Sequence, residues 1–259
     1  MDKEAFHIWE GVLDEFPEED PDHVFDSQKW VKALVERTEK NLELLGSKAF
    51  IPENAIVHEY PLPILVALET ARTSQPVRIL DFGGGLGATY FMVSASIPDQ
   101  SRFVFHVVEG EVICGRGREL FKKYTNIEFH ASLPGTDGRG FDVVHSASAF
   151  QYVKDWEGLL TRFARYSPRH IVFGNLLAGE IRPFVTYQNY YGKKIPVRFH
   201  NLSEIIEKLN AVGYCLVYKA LHRQTLLGER QRLPMENFPE SLRLAYGCNL
   251  IFERKDGGE

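Results

Sequence analysis

Val77-Arg78-Ile79-Leu80-Asp81-Phe82-Gly83-Gly84-Gly85-Leu86-Gly87 is the stretch on which the reading of this chain turns. A short, mostly apolar run, Val77 to Leu80, leads into an acid and then into glycines, and a helix-compatible segment, Leu86 to Ile97, follows at once. This is the pattern of a buried parallel strand turning tightly into a helix, with backbone left bare where a ligand can come close. A plain turn needs less than four glycines and an acid at this register, so a cofactor loop is expected.

The glycines alone leave the cofactor open. Gly83-x-Gly85-x-x-Ala88 also fits the dinucleotide fingerprint, in which a helix N-terminus holds a pyrophosphate. Asp81 separates the two readings. A carboxylate beside the loop repels a pyrophosphate but suits a cofactor that carries an ammonium and a sulfonium.

The pattern continues downstream. Arg102 to Val108 is strand-like and ends at Glu109, at about the distance of one loop, helix and second strand from Gly85. A carboxylate there can accept from both hydroxyls of a ribose. Ile127-Glu128-Phe129 reads as a third strand, followed by the loop His130-Ala131-Ser132-Leu133-Pro134. Gly140 to Ser146 gives a fourth strand, with Asp142 at its structural, amino-terminal end. Arg169 to Asn175 gives a fifth, and Tyr214 to Ala220 with Tyr246 to Arg254 give two late strands.

Spelled Asp81-x-Gly83-x-Gly85-x-Gly87, and with Phe141-Asp142-Val143-Val144 downstream, the chain resembles the class I S-adenosylmethionine (SAM) dependent methyltransferases over roughly residues 76–254. The resemblance implies an α/β fold: a Rossmann-like, doubly wound, seven-stranded sheet of order 3-2-1-4-5-7-6 with its last strand antiparallel. It implies SAM as cofactor. Asp81, Gly83, Gly84, Gly85, Gly87 and Ser146 would frame the methionine end, Glu109 the ribose, and Ser132 and Leu133 the adenine. Trp9-Glu10-Gly11-Val12, Ser146-Ala147-Ser148, Phe150 to Trp156 and Phe199-His200-Asn201 together resemble a looser subfamily of bacterial methyltransferases of unassigned substrate.

One departure matters for mechanism. Small-molecule O-methyltransferases of this class often read Leu-His-Asp-Trp after the fourth strand, with the histidine as general base. Here that histidine's place is taken by Gln151, and a neutral amide cannot take a proton. Gln151 is left to orient substrate or to touch the cofactor's methionine end. The proton acceptor is then sought among His58, His200 and, more weakly, Tyr60, or the reaction proceeds by proximity alone.

Residues 1–75 precede the first core strand and read as a helical extension. Trp30, Val31, Leu34, Val35, Leu42 and Leu45 recur at helical spacing, and Pro61 and Pro63 open a helix from Leu62 to Ala71. This extension is expected either to cover the active site as a lid or simply to pack on the core. The core is expected over 76–254, interrupted between strand five and its helix by an insertion, 176–200, over the active site. Tyr187-Gln188-Asn189-Tyr190-Tyr191 at its centre suits a polar organic substrate, and the same stretch also reads as a β-hairpin flap with ordinary aromatic packing.

The 259 residues suit one elaborated α/β domain. A net charge of −5 argues against a nucleic-acid footprint. Three scattered cysteines form neither a metal spacing nor an even disulfide set, so no metal site is expected and a reducing, cytoplasmic setting is. No long apolar segment suggests a membrane partner. A homodimer is compatible with the sequence. The expected activity is methyl transfer to oxygen, less readily nitrogen, of a small metabolite or glycan precursor. A nicotinamide oxidoreductase and a non-catalytic SAM-binding regulator are the alternatives.

Overall fold

The computed structural model describes residues 6–18, 24–46, 60–135, 140–226 and 229–255. In chain order its elements are β1 (Trp9–Leu13), α1 (Gln28–Gly46), α2 (Leu62–Arg72), β2 (Val77–Phe82), α3 (Ala88–Ser96), β3 (Phe103–Val108), α4 (Glu111–Leu120) and β4 (Ile127–His130). There follow β5 (Val143–Ala147), α5 (Trp156–Arg165), β6 (His170–Leu176), β7 (Ala178–Gly179), β8 (Phe184–Tyr190), β9 (Lys193–Asn201) and α6 (Leu202–Ala211). The last are β10 (Tyr214–His222), the short pair β11 (Gln224–Leu226) and β12 (Glu229–Gln231), and β13 (Gly247–Arg254).

The main sheet has seven strands in the order β10-β13-β6-β5-β2-β3-β4. Counted along the core, this is the expected 3-2-1-4-5-7-6. β2 is parallel to β3 and β5, while β13 is antiparallel to both β10 and β6. β2 lies in the middle, buried on both faces, which is why its sequence is nearly unbroken apolar. Ile79 and Val143 face one way with Phe105 and Val107 into a core shared with α2, α3 and α4. Leu80, Val144 and Ile171 face the other way, against α5 and α6.

α2 begins with proline in its first turn, where a missing N–H costs nothing. α6 is capped by Asn201, whose Oδ1 accepts from the Glu204 amide at 3.1 Å.

Two features refine the sequence expectation. The N-terminal extension is not wholly helical: it opens with β1, which pairs antiparallel with β8. The 176–200 insertion takes the hairpin form of its two readings. β8 and β9 form a hairpin closed by Tyr191-Gly192, both at positive φ, as a two-residue primed turn requires. With β7 they complete a four-stranded second sheet, β1-β8-β9-β7. It carries its own core, in which Trp9 meets Phe199 edge-on and Phe199 stacks on Phe184. Propensity alone hid β1, because its partner lies about 175 residues away and only pairing makes it a strand. Among the described residues no helix is long and apolar enough to cross a membrane.

Candidate cofactor and active site

A cavity of about 1790 Å³ opens at the carboxyl ends of β2, β3, β5 and β6, bounded on the open side by α1 and the second sheet. Sheet topology dictates this position, since the strand order reverses between β2 and β5. The volume exceeds the ~300–1,000 Å³ of an ordinary ligand pocket, leaving room for a cofactor and a second molecule.

At one end lies the glycine loop. Gly83 and Gly85 take positive φ, which a side chain would oppose. A Cβ on Gly84 would collide with the Asp81 carboxylate, so the loop is folded directly onto that acid. Glu109, at the end of β3, reaches across the loop and accepts from the Gly85 amide at 2.9 Å and the Gly110 amide at 3.1 Å. Burial pushes its pKa up, against the pull of those two amides. Ser132 and Leu133 line the wall beside Glu109, and Ala88 and Thr89 continue the loop into α3.

Asp81 is fully buried, and both its oxygens are engaged. Oδ2 accepts from the Thr89 hydroxyl, and Oδ1 lies 2.7 Å from His145 Nδ1. β2 and β5 place these two residues opposite each other in register. The other ring nitrogen of His145, Nε2, meets the hydroxyl of Tyr60. An ionised Asp81 accepts only, so Nδ1 carries the proton and Tyr60 donates to Nε2. Tyr60 lies over Gly174 of β6, where any Cβ would strike its ring. Burial, and then the charge of Asp81, raise the Tyr60 pKa well above its ordinary value. A row therefore runs Asp81–His145–Tyr60 from β2 toward β6, away from Glu109, and ends at the cavity wall.

Beyond Tyr60 the wall becomes polar. Ser148 and Asn175, at the ends of β5 and β6, both hold left-handed backbone (φ 55° and 47°). The Asn175 amide nitrogen Nδ2 donates to Ser148 Oγ at 2.7 Å, and its backbone N–H donates to Asn249 Oδ1 at 3.0 Å. Gln151 lines the cavity, nearly buried, with Oε1 lacking a hydrogen-bond partner among the described residues. From the hairpin come Gln188, which accepts from the Tyr152 hydroxyl at 2.8 Å, and Tyr190.

The structure thus brings together Tyr60, Asp81, Gly83, Gly84, Gly85, Glu109, Ser132, Leu133 and Gln151 around one cavity. It does not bring Gly87, Ser146 or His200 to that wall. Gly87 is a turn residue at φ 79°, with Ile127 and Phe121 against the place of a Cβ. Ser146 alternates to the α5 side of β5 and is buried beneath the site. His200 sits between the rings of Phe150 and Trp156, its pKa pushed down to about 3 by burial and then by Arg198. It is a neutral core residue with no route to the cavity. His58 lies outside the described residues.

Sequence reasoning missed His145. Its signal was a histidine inside an apolar strand, two residues beyond Val143 on the face that also carries Asp81.

No family model matches the chain, and no curated protein does. Solved structures do. A SAM-dependent methyltransferase from Clostridium acetobutylicum ATCC 824 is 8% identical over 85% of this chain and 99% of its own, with a TM-score of 0.51. The N-terminal domain of EvdMO1, with S-adenosylhomocysteine bound, is 16% identical over 77% and 83%, with a TM-score of 0.50. A chain of the complex between the Haloferax volcanii Trm112 methyltransferase activator and a methyltransferase is 14% identical over 93% and 100%, with a TM-score of 0.51. The fold is that of the SAM-dependent methyltransferases. At these identities the likeness is one of fold.

Proposed function

We propose that this chain is a SAM-dependent methyltransferase acting on an oxygen, less readily a nitrogen, of a small polar metabolite or glycan precursor. The observation that carries the reading is the pairing, in one cavity, of the bare Gly83–Gly85 loop with the Glu109 carboxylate fastened across it. Glu109 keeps lone pairs for ribose hydroxyls, and the loop leaves backbone open to the amino-acid part. The S-adenosylhomocysteine held by the EvdMO1 domain supports the same choice of cofactor. Asp81 lies beneath the loop, so it acts on the cofactor's ammonium through its field and by fixing the loop.

Glu109, Ser132 and Leu133 would hold the adenosine half, and Tyr60 and Gln151 would face the reacting end. SAM supplies an electrophilic methyl on a sulfonium. With SAM bound, an acceptor oxygen held in line with that methyl would take it, the O–CH3 bond forming as the S–CH3 bond breaks. The acceptor's proton passes to Tyr60 Oη as the Tyr60 proton passes to His145 Nε2, and Asp81 steadies the resulting imidazolium. Tyr60 need never become a free phenolate, which its buried setting forbids. Gln151, Asn175 and Gln188 offer donors and acceptors to a hydroxylated substrate.

Calorimetry with SAM, S-adenosylhomocysteine and NAD, followed by methyl transfer to a metabolite extract, tests the reading. SAM and its demethylated product should bind and NAD should not. Tight NAD binding without SAM binding overturns it in favour of a nicotinamide enzyme.

A further inference from the structure

On the opposite face of the sheet from Asp81, three side chains of the edge converge. β3 and β4 run parallel, with His106 opposite Glu128 and Val108 opposite His130, so His106, Glu128 and His130 share one face. His106 Nδ1 stands 3.2 Å from His130 Nε2. Glu128 Oε2 stands 3.4 Å from the first nitrogen and 3.5 Å from the second. In a tetrahedral site with metal–ligand bonds of about 2.0–2.1 Å, neighbouring ligand atoms stand about 3.3–3.4 Å apart. The observed triangle has that edge.

Hydrogen bonding fits the triangle less well. Each imidazole nitrogen offers either one proton or one lone pair, yet each faces two partners here. One cation satisfies all three atoms together. We propose that His106, Glu128 and His130 form a site for a divalent transition metal of the zinc class, with a fourth position left to water. Two imidazoles and one carboxylate suit zinc, cobalt or nickel, whereas magnesium and calcium favour oxygen ligands. The rings are already placed: His106 is buried edge-on against Phe141 and stacks on His130 at an interplanar angle of 23°. Glu128 is half exposed, so the ion can arrive from solvent.

The site touches the cavity through backbone. The His130 carbonyl accepts from the Glu109 N–H at 3.1 Å, and the next three residues line the cavity wall. A bound ion would clamp the edge strand where that wall begins. This coupling rests on the cofactor reading above; the metal site does not.

The test uses the full chain, stripped with a chelator and titrated with Co2+ by visible absorption and with Zn2+ by calorimetry. The parent should bind one equivalent, with the intense visible bands of tetrahedral cobalt, and excess Mg2+ should not displace it. Glu128→Gln and His130→Asn should each weaken binding at least tenfold. Both positions are partly exposed, and circular dichroism verifies their folding. Absence of stoichiometric binding in the parent, or equal affinity in both folded variants, overturns the proposal. SAM binding without metal binding removes this site and leaves the cofactor reading standing. Metal binding without SAM binding does the reverse.

Discussion

At the scale of single residues, each carboxylate of the cavity has a different task, set by what surrounds it. Glu109 accepts two backbone amides and still faces the cavity. A hydrogen bond to a charged acceptor contributes about 1.5–3 kcal/mol, so Glu109→Ala should weaken SAM binding at least tenfold, as calorimetry would read. Unchanged affinity in a folded variant would move ribose binding to another residue. Tyr60 tests the relay separately. Tyr60→Phe keeps the ring over Gly174 and removes only the hydroxyl, so SAM affinity should hold. Turnover, followed as S-adenosylhomocysteine release, should fall by about 10²–10⁴, the usual worth of a general base. A Tyr60→Phe enzyme with full turnover would leave proximity as the whole mechanism.

Residues were legible from sequence where one short segment carries both the strand and the chemistry. Asp81 and Glu109 end consecutive strands, and their glycine context makes them stand out. His145 was not, and Tyr60 stood out only weakly, since each acquires its place in the row from the other, 85 positions away. The triangle at His106 was hidden for the same reason: parallel register, not spacing in the chain, brings it to Glu128-x-His130.

At the scale of elements, the main sheet was readable because its strands are buried on both faces and announce themselves as apolar runs. The second sheet was readable only as the hairpin of the insertion, because its partner β1 is a bulged ribbon around Gly11. Trp9 is its anchor, 2% exposed and edge-on to Phe199 at 5.5 Å. Truncating a buried aromatic of this kind costs about 3–5 kcal/mol. Trp9→Ala should therefore lower the melting temperature markedly, while the rise in melting temperature on adding SAM persists, because the glycine loop and Glu109 belong to the main sheet. Thermal unfolding with and without SAM reads both effects. A variant that loses the SAM-dependent rise would tie the second sheet to cofactor binding.

At the scale of the whole molecule, buried histidines make the fold sensitive to acid. His200 has a folded pKa near 3 against an ordinary value of 6.5, with burial the main cause. Its folded pKa is depressed, so the unfolded chain binds the proton more readily. Its contribution is complete above about pH 6.5 and is lost as pH falls toward 3. His170, also depressed by burial, acts in the same sense. Glu109, raised by burial, acts oppositely, losing stability as pH rises. Replacing the imidazole ring isolates the first term. His200→Phe sits between Phe150 and Trp156 without a titrating group, and should lose less stability than the parent between pH 6.5 and pH 4. The difference should reach a few kcal/mol, on the order of 1.4 kcal/mol per unit of pH. Denaturant melts across that range measure it, and parallel curves for parent and variant would count against a buried neutral His200.

The position of β13 sets the order in which the fold can come into being. It is the last strand of the described chain, yet it lies inside the sheet, between β6 and β10. A polypeptide emerging from the ribosome can assemble the glycine loop and Glu109 early, from contiguous strands. It must then hold β6 with a bare hydrogen-bonding edge until the final strand arrives. That interval is one in which an unpaired strand invites association with other chains. Asn249, which receives the Asn175 amide at the far wall of the cavity, arrives with the same strand. A chain stopped before Gly247 should therefore form the cofactor end of its cavity, leave the far wall unfinished, and aggregate.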